Sequence, residues 1–216
     1  MFDKKYAEHY DHLNQEKQYK KEVEFIYNWA RHPKTILDIG CGTAHYWKFY
    51  PKSVEMIGVE KSKDMISASP YKNLIHCADL NNGIDFSAHG SFELVTALFD
   101  VINYIQTNDW WGRLPIIPGG YFVFDVWDKE KIAKEGFKTT IRKTGGVSRV
   151  ITPLDFSGDK VILKIDLVKG GFLTTEIHEM FLYDMDDIFE FAGDEFEVAD
   201  FETTESWQMW WKLKRK

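Results

Sequence analysis

The chain has 216 residues, with 27 Lys and Arg against 34 Asp and Glu, a formal charge of −7. A hydrophobic share of 44% with 16% aromatics excludes a disordered chain and supports one domain with a full core. The acidic balance lacks the basic footprint of bulk nucleic-acid binding, and no run of about 18 apolar residues is present to span a membrane.

Segment 1–32 is polar and helical in pattern. Val23, Phe25, Ile26 and Trp29 supply its apolar face, and Pro33 is the expected stop. No apolar stretch follows Met1–Lys5, so no signal peptide is expected and the chain reads as cytoplasmic. Thr35–Ile39 is a strand that runs through Gly40-Cys41-Gly42 into an expected helix start. Gly40 and Gly42 allow a sharp turn and a close approach of backbone to ligand. A dinucleotide loop would carry a third glycine at position 45, where this chain has His45. Asp38, at the strand end, would repel a pyrophosphate. It suits a ligand bearing an ammonium group, such as S-adenosylmethionine.

The following strands keep step. Glu60 ends the second, eighteen residues past Gly42, and can accept both hydroxyls of a ribose. Asp79 ends the third, nineteen residues further on, and Phe92–Leu98 is the fourth. Pro118–Asp125 turns into the fifth. One strand end about every 20 residues is the period of a βα repeat, and each acid falls at the carboxyl edge where open α/β sheets bind ligands. Taken singly, Glu60 could be a surface acid and Asp79 a turn residue. Their order and spacing argue otherwise. Residues 107–114 make a short helix at best before Pro115. Val161–Val168 and Thr174–Phe181 alternate about a turn at 169–172, an antiparallel hairpin. Met185–Ala192 is a helix started by Asp184 or Asp186, and 195–201 and 206–213 are the last strands. Cys41 lies in the loop and Cys77 in a strand expected to be buried, so no disulfide is expected, and no Cys/His spacing suggests a metal site.

The motif Asp38-Ile39-Gly40-Cys41-Gly42-Thr43-Ala44 resembles the first motif of the class I S-adenosylmethionine-dependent methyltransferases. Tyr6–Asp11 with Lys17-Gln18-Tyr19, and Leu98–Ile105, resemble the branch that acts on small molecules, amino-sugar N-methyltransferases among them. The resemblance implies an α/β fold: a doubly wound, seven-stranded, Rossmann-like sheet of order 3-2-1-4-5-7-6, the seventh strand antiparallel. It also implies an antiparallel β insertion after strand five. The single domain divides into a helical cap (1–32), a cofactor half (34–128), a substrate platform (137–183) and the last helix and strands (184–214). The cofactor is S-adenosyl-L-methionine. Asp79 would bond the adenine amino group and Leu80 would offer its N–H to the ring. Cys41, Lys61, Met65, Ala97 and Leu98 join that set, and Tyr10 and Tyr19 could close over the methionine end.

The expected reaction is methyl transfer to a small-molecule amine, hydroxyl or carboxylate by in-line displacement. Base-methylating relatives often carry a proline motif after strand four that this chain lacks, so no nucleic-acid partner is expected. Candidate catalytic residues are His178, Asp125 and Tyr104, with Asn103, Trp127 and Glu176 toward the substrate. His178 and Glu176 share a strand face, being two apart. His178 is the best single base by its ordinary titration range, against the plainer alternative of a strand histidine bonded to a neighbour. Asp125 could instead be a cap or bind a substrate amine. His9, His45 and His89 read as surface or packing residues. The hairpin edge offers a pairing surface for a homodimer. Two other functions compete: a non-catalytic cofactor-binding partner and a nicotinamide-dependent oxidoreductase.

Overall fold

The structure is a computed structural model that describes residues 4–83, 86, 90–105, 111–204 and 207–216. The chain opens with α1 (Lys4–Leu13) and α2 (Tyr19–Trp29). α2 buries Tyr19, Val23 and Ile26 at helical spacing. It stops before Pro33 is reached: Arg31 and His32 take left-handed φ of 61° and 60° and turn the chain out.

Five strands run parallel: β1 (Thr35–Ile39), β2 (Glu55–Glu60), β3 (Ile75–Cys77), β4 (Phe92–Ala97) and β5 (Ile116–Trp127). The central strands β1 and β4 and the second half of β5 are buried on both faces, so their sequences are mostly apolar rather than alternating. Leu37, Ile39, Val95, Ala97, Phe122 and Phe124 feed one core with Trp111. Ile36, Leu94 and Val123 feed the other, beneath Val23 and Ile26 of α2. After β5 the chain enters α4 (Lys129–Glu135), capped by Asp128, and then a separate antiparallel sheet. That sheet holds β6 (Thr140–Thr144), β7 (Val147–Phe156), β8 (Lys160–Lys169) and β9 (Phe172–Phe181), paired in chain order. α5 (Met185–Ala192) starts at Asp184, whose capping box is completed by Asp187. β10 (Phe196–Thr203) and β11 (Gln208–Arg215) close the main sheet, β11 antiparallel to β5.

The main sheet has the order β3-β2-β1-β4-β5-β11-β10, the topology the resemblance implies. β1 and β4 are neighbours, so the order reverses between them and a crevice opens at their carboxyl ends.

The connections differ from expectation. The loop after β1 enters a 3-10 turn (His45–Phe49), not an α-helix. Pro51 holds Tyr50 extended and prevents continuation. The insertion has four strands where the hairpin pattern predicts two. Pro153 obscures β7 in the sequence, and the strand accommodates it beside a register shift between Pro153 and Asp155. Cys77 is exposed because β3 is an edge strand, and both cysteines are free. Residues 107–110 of the expected short helix, His89 and Ser206 lie outside the described residues; Trp111–Arg113 forms a 3-10 turn.

Candidate functional site

The crevice at the β1/β4 switch opens into a cavity of about 330 Å³ that the insertion roofs. Its floor is the loop after β1. Gly40 and Gly42 hold φ of 64° and 57°. A Cβ on Gly40 would meet the Val101 methyls at 2.6 Å, so the loop fits only without a side chain there. Glu60 is 8% exposed at the end of β2 and ties the floor together. Its Oε2 accepts from Gly42 N–H at 3.0 Å and its Oε1 from Ser62 N–H at 2.7 Å. Burial pushes the Glu60 carboxyl up, against those two bonds. Ser62 in turn caps the short α3 (Lys63–Ala68), whose Met65 lies beneath Gly42. Lys61, Met65, Asp79, Leu80 and Leu98 line the same cavity. Asp79 also accepts from Asn81 N–H at 3.0 Å, so its turn role and its place at the cavity coexist.

A smaller cleft adjoins this one, bordered by Tyr10, Tyr19, Asp38, Cys41 and His45. Asp38 faces this cleft and is absent from the wall of the main cavity. Its Oδ2 accepts from the Trp47 indole at 2.7 Å and its Oδ1 from Thr96 at 2.8 Å. Burial pushes its carboxyl up to about 6, against these bonds. Asp38, expected to face a ligand from the strand end, is a buried clasp that also borders the cleft. Tyr19 is 4% exposed, and its hydroxyl has no hydrogen-bond partner among the described residues. Its ring packs on His45 at 4.5 Å, and His45 pairs with Asp11 at 2.8 Å. His45 is thus a wall residue as well as a packing residue. His9 is bonded to Lys169 at an exposed position.

On the roof, the Tyr104 hydroxyl meets His178 Nδ1 at 2.8 Å, and His178 Nε2 meets Glu176 Oε2 at 2.9 Å. Tyr104 comes from the turn after β4, and the other two come from the inner face of β9. Tyr104 and His178 line the cavity; Glu176 stands behind them. The buried Glu176 carboxylate fixes the orientation of the His178 ring and leaves Nδ1 toward Tyr104. The chain of three can therefore orient a hydroxyl toward an acceptor and take up a proton. Trp127 lines the cavity beside them.

Three expected site residues lie elsewhere. Asp125 is fully buried and outside the cavity wall. It accepts from Phe99 N–H at 2.6 Å, Asp100 N–H at 3.0 Å and the Gln208 amide at 2.8 Å. Phe99 and Asp100 are consecutive left-handed residues, φ 67° and 65°, and their N–H groups form an anion nest that Asp125 fills. Burial, and then the charge of Asp125, pushes the Asp100 carboxyl well up. Asn103 is also fully buried. It donates to Phe181 O at 2.6 Å and accepts from Trp127 N–H at 3.2 Å, bracing the roof to the sheet. Ala97 is packed in the core, because strand alternation places it with Val95 and away from the crevice.

The cavity wall also holds residues that sequence reasoning misses. Asp100 and Phe99 arrive through left-handed backbone with no composition signal. Arg149 lines the cavity at 8% exposure. A signal for it existed: it is charged at the inward phase of the strand Val147, Arg149, Ile151. Among the described residues, no group of three His, Cys, Asp or Glu side chains could hold a metal ion.

Neither the protein-family models nor the curated proteins match the sequence. Solved structures do. The chain is similar to an S-adenosylmethionine-dependent methyltransferase from Clostridium acetobutylicum (22% identity, 98% of each chain, TM-score 0.80). It is similar to CalS10, an amino pentose methyltransferase from Micromonospora echinaspora solved with S-adenosylmethionine (17% identity, 94% of each chain, TM-score 0.77). It is also similar to the sugar N-methyltransferase KedS8 from Streptoalloteichus (19% identity, 94% of this chain and 90% of that one, TM-score 0.71). The fold is that of the S-adenosylmethionine-dependent methyltransferases, with the β insertion after strand five.

Proposed function

We propose that the chain is an S-adenosylmethionine-dependent methyltransferase acting on a small-molecule acceptor. The observation that carries this reading is Glu60. Its carboxylate organises the glycine loop through Gly42 while lining the crevice at the switch point. The residues fit the cofactor. Glu60 suits a ribose diol, Asp79 and Leu80 an adenine. Gly40 permits the close approach of a bulky ligand. The small cleft, with the unmatched Tyr19 hydroxyl, suits the polar methionine end. When bound there, the cofactor supplies an electrophilic methyl and a neutral thioether leaving group.

The remaining work belongs to the chain itself. Leu98, Phe99 and Trp127 exclude water around the acceptor. Tyr104 orients the acceptor atom, and His178 accepts a proton through Tyr104, with Glu176 holding the ring in place. Orientation accounts for most of the rate, up to roughly 7–11 kcal/mol. The fold neighbours favour amino sugars and other amines as the first acceptors to try.

The test has two parts. Calorimetry should show saturable binding of S-adenosylhomocysteine and none of NAD. A screen of amines, amino sugars and carboxylates should then yield S-adenosylhomocysteine with at least one acceptor. Binding of NAD in place of S-adenosylhomocysteine would overturn the reading.

A further inference from the structure

We propose that Arg149 anchors an oxyanion of the acceptor, a carboxylate or a phosphate, so that this enzyme methylates small acidic molecules. The proposal rests on the methyltransferase reading above and names the acceptor's chemistry.

The inner face of β7 and β8 is otherwise apolar. Val147, Ile151, Leu163, Ile165 and Leu167 face inward, and Arg149 interrupts them at the same phase. A guanidinium cannot shed its proton to escape burial. A guanidinium on a cavity wall binds oxyanions through two parallel hydrogen bonds. The side chain is also aimed. Asn14 is fully buried, and its Nδ2 donates to Tyr10 O at 2.9 Å. That bond turns Asn14 Oδ1 toward Arg149 Nη1 at 3.2 Å. A neutral amide orients the guanidinium without cancelling its charge. A simple brace between α1 and β7 would need only a neutral donor.

Arg149 and His178 line one cavity. In the ladder, Arg149 pairs with Leu167 and His178 with Leu163, two inward rows and two strands apart. At ordinary strand spacings this sets the two Cα atoms roughly 16 Å apart. Both side chains reach inward, so the acceptor carries its anion several bonds from the methylated atom.

The test uses the full chain saturated with S-adenosylhomocysteine, as wild type, Arg149→Met and Arg149→Lys. Acetate and inorganic phosphate are titrated, with ethylammonium as control, following the arginine Nε–H resonances. A saturable shift of one resonance, missing in Arg149→Met, is the expected result, and the anion that produces it tells carboxylate from phosphate. In turnover, 4-aminobutyrate is compared with butylamine, and phosphoethanolamine with ethanolamine. The anionic member of a pair should be favoured. Arg149→Met should lower its kcat/KM more than about tenfold, mainly through KM. Arg149→Lys should fall between. Affinity for S-adenosylhomocysteine should stay within about threefold, since the residues proposed to hold it are Glu60, Asp79, Leu80 and Tyr19. A larger loss would assign Arg149 to the cofactor's own carboxylate and overturn the proposal. So would the absence of any saturable shift in the wild type, which needs no variant to fold. Failure of the wild type to bind S-adenosylhomocysteine would instead bring down the methyltransferase reading.

Discussion

Replacing Glu60 tests the cofactor site without knowledge of the acceptor. Its two oxygens hold Gly42 and Ser62 N–H groups at 3.0 and 2.7 Å, and its burial pushes the carboxyl above the ordinary 4.5. A folded-state pKa above the unfolded one means that the native protein binds this proton more tightly. The side chain therefore favours the fold most below 4.5 and favours it less as pH rises through the folded pKa. Ribose hydroxyls would donate to the ionised form. Affinity for S-adenosylhomocysteine should consequently rise with pH from 4.5 up through that raised pKa and then level off. Glu60→Gln should flatten the rise. Glu60→Ala should lose the charge-assisted bonds to the ligand, about 1.5–3 kcal/mol, or roughly 10- to 150-fold in Kd. Calorimetry across pH measures both effects, and circular dichroism checks that each variant is folded. An Ala variant that is folded and binds as tightly as wild type would remove Glu60 from the site. A wild-type affinity that is flat with pH would refute the argument from its ionisation.

The relay and the loop clasp make separate predictions once an acceptor is found. Tyr104→Phe and His178→Gln should each lower kcat by about 10²–10⁴-fold if they move a proton. Their combination should cost little more than either alone. A rise in KM with unchanged kcat would reduce both to positioning residues. Asp125→Ala should lower stability on the order of 2–3 kcal/mol, because three part-buried donors lose their acceptor and the Phe99-Asp100 turn loses its anchor. Denaturant unfolding reads this directly. A large loss of kcat without loss of stability would return Asp125 to the chemistry.

Much of the fold and half of the site were legible in the chain itself. The strand period, the glycine loop and the acids at strand ends are local properties: each depends on residues within about ten positions. Gly40, Gly42, Glu60 and Asp79, read that way, line the cavity, as does Leu80, which the resemblance implied; the β8/β9 hairpin and the α5 helix followed from local pattern too. Asp184, its N-cap, followed from the same local logic. Local pattern also overreached. It put a helix after Gly42, where Pro51 prevents one, and a buried strand around Cys77, where the sheet ends.

What tertiary structure alone decided was direction: where each polar side chain points once distant segments meet. Asp125 and His178 were both candidates at the expected ligand edge, with His178 the better base by residue type. Folding brings the Phe99 and Asp100 N–H groups onto Asp125, 26 and 25 residues away in sequence, and those bonds hold it out of the cavity wall. The same assembly brings Tyr104 to His178 across 74 residues and Arg149 to Asn14 across 135. A sequence states which groups can ionise or donate. Hydrogen bonds between remote segments cost water contacts on both sides and form only where the packed backbone brings both partners together. So the chain by itself determined the sheet and its ligand edge, and the closed fold chose which of its acids, histidines and arginines face the ligand.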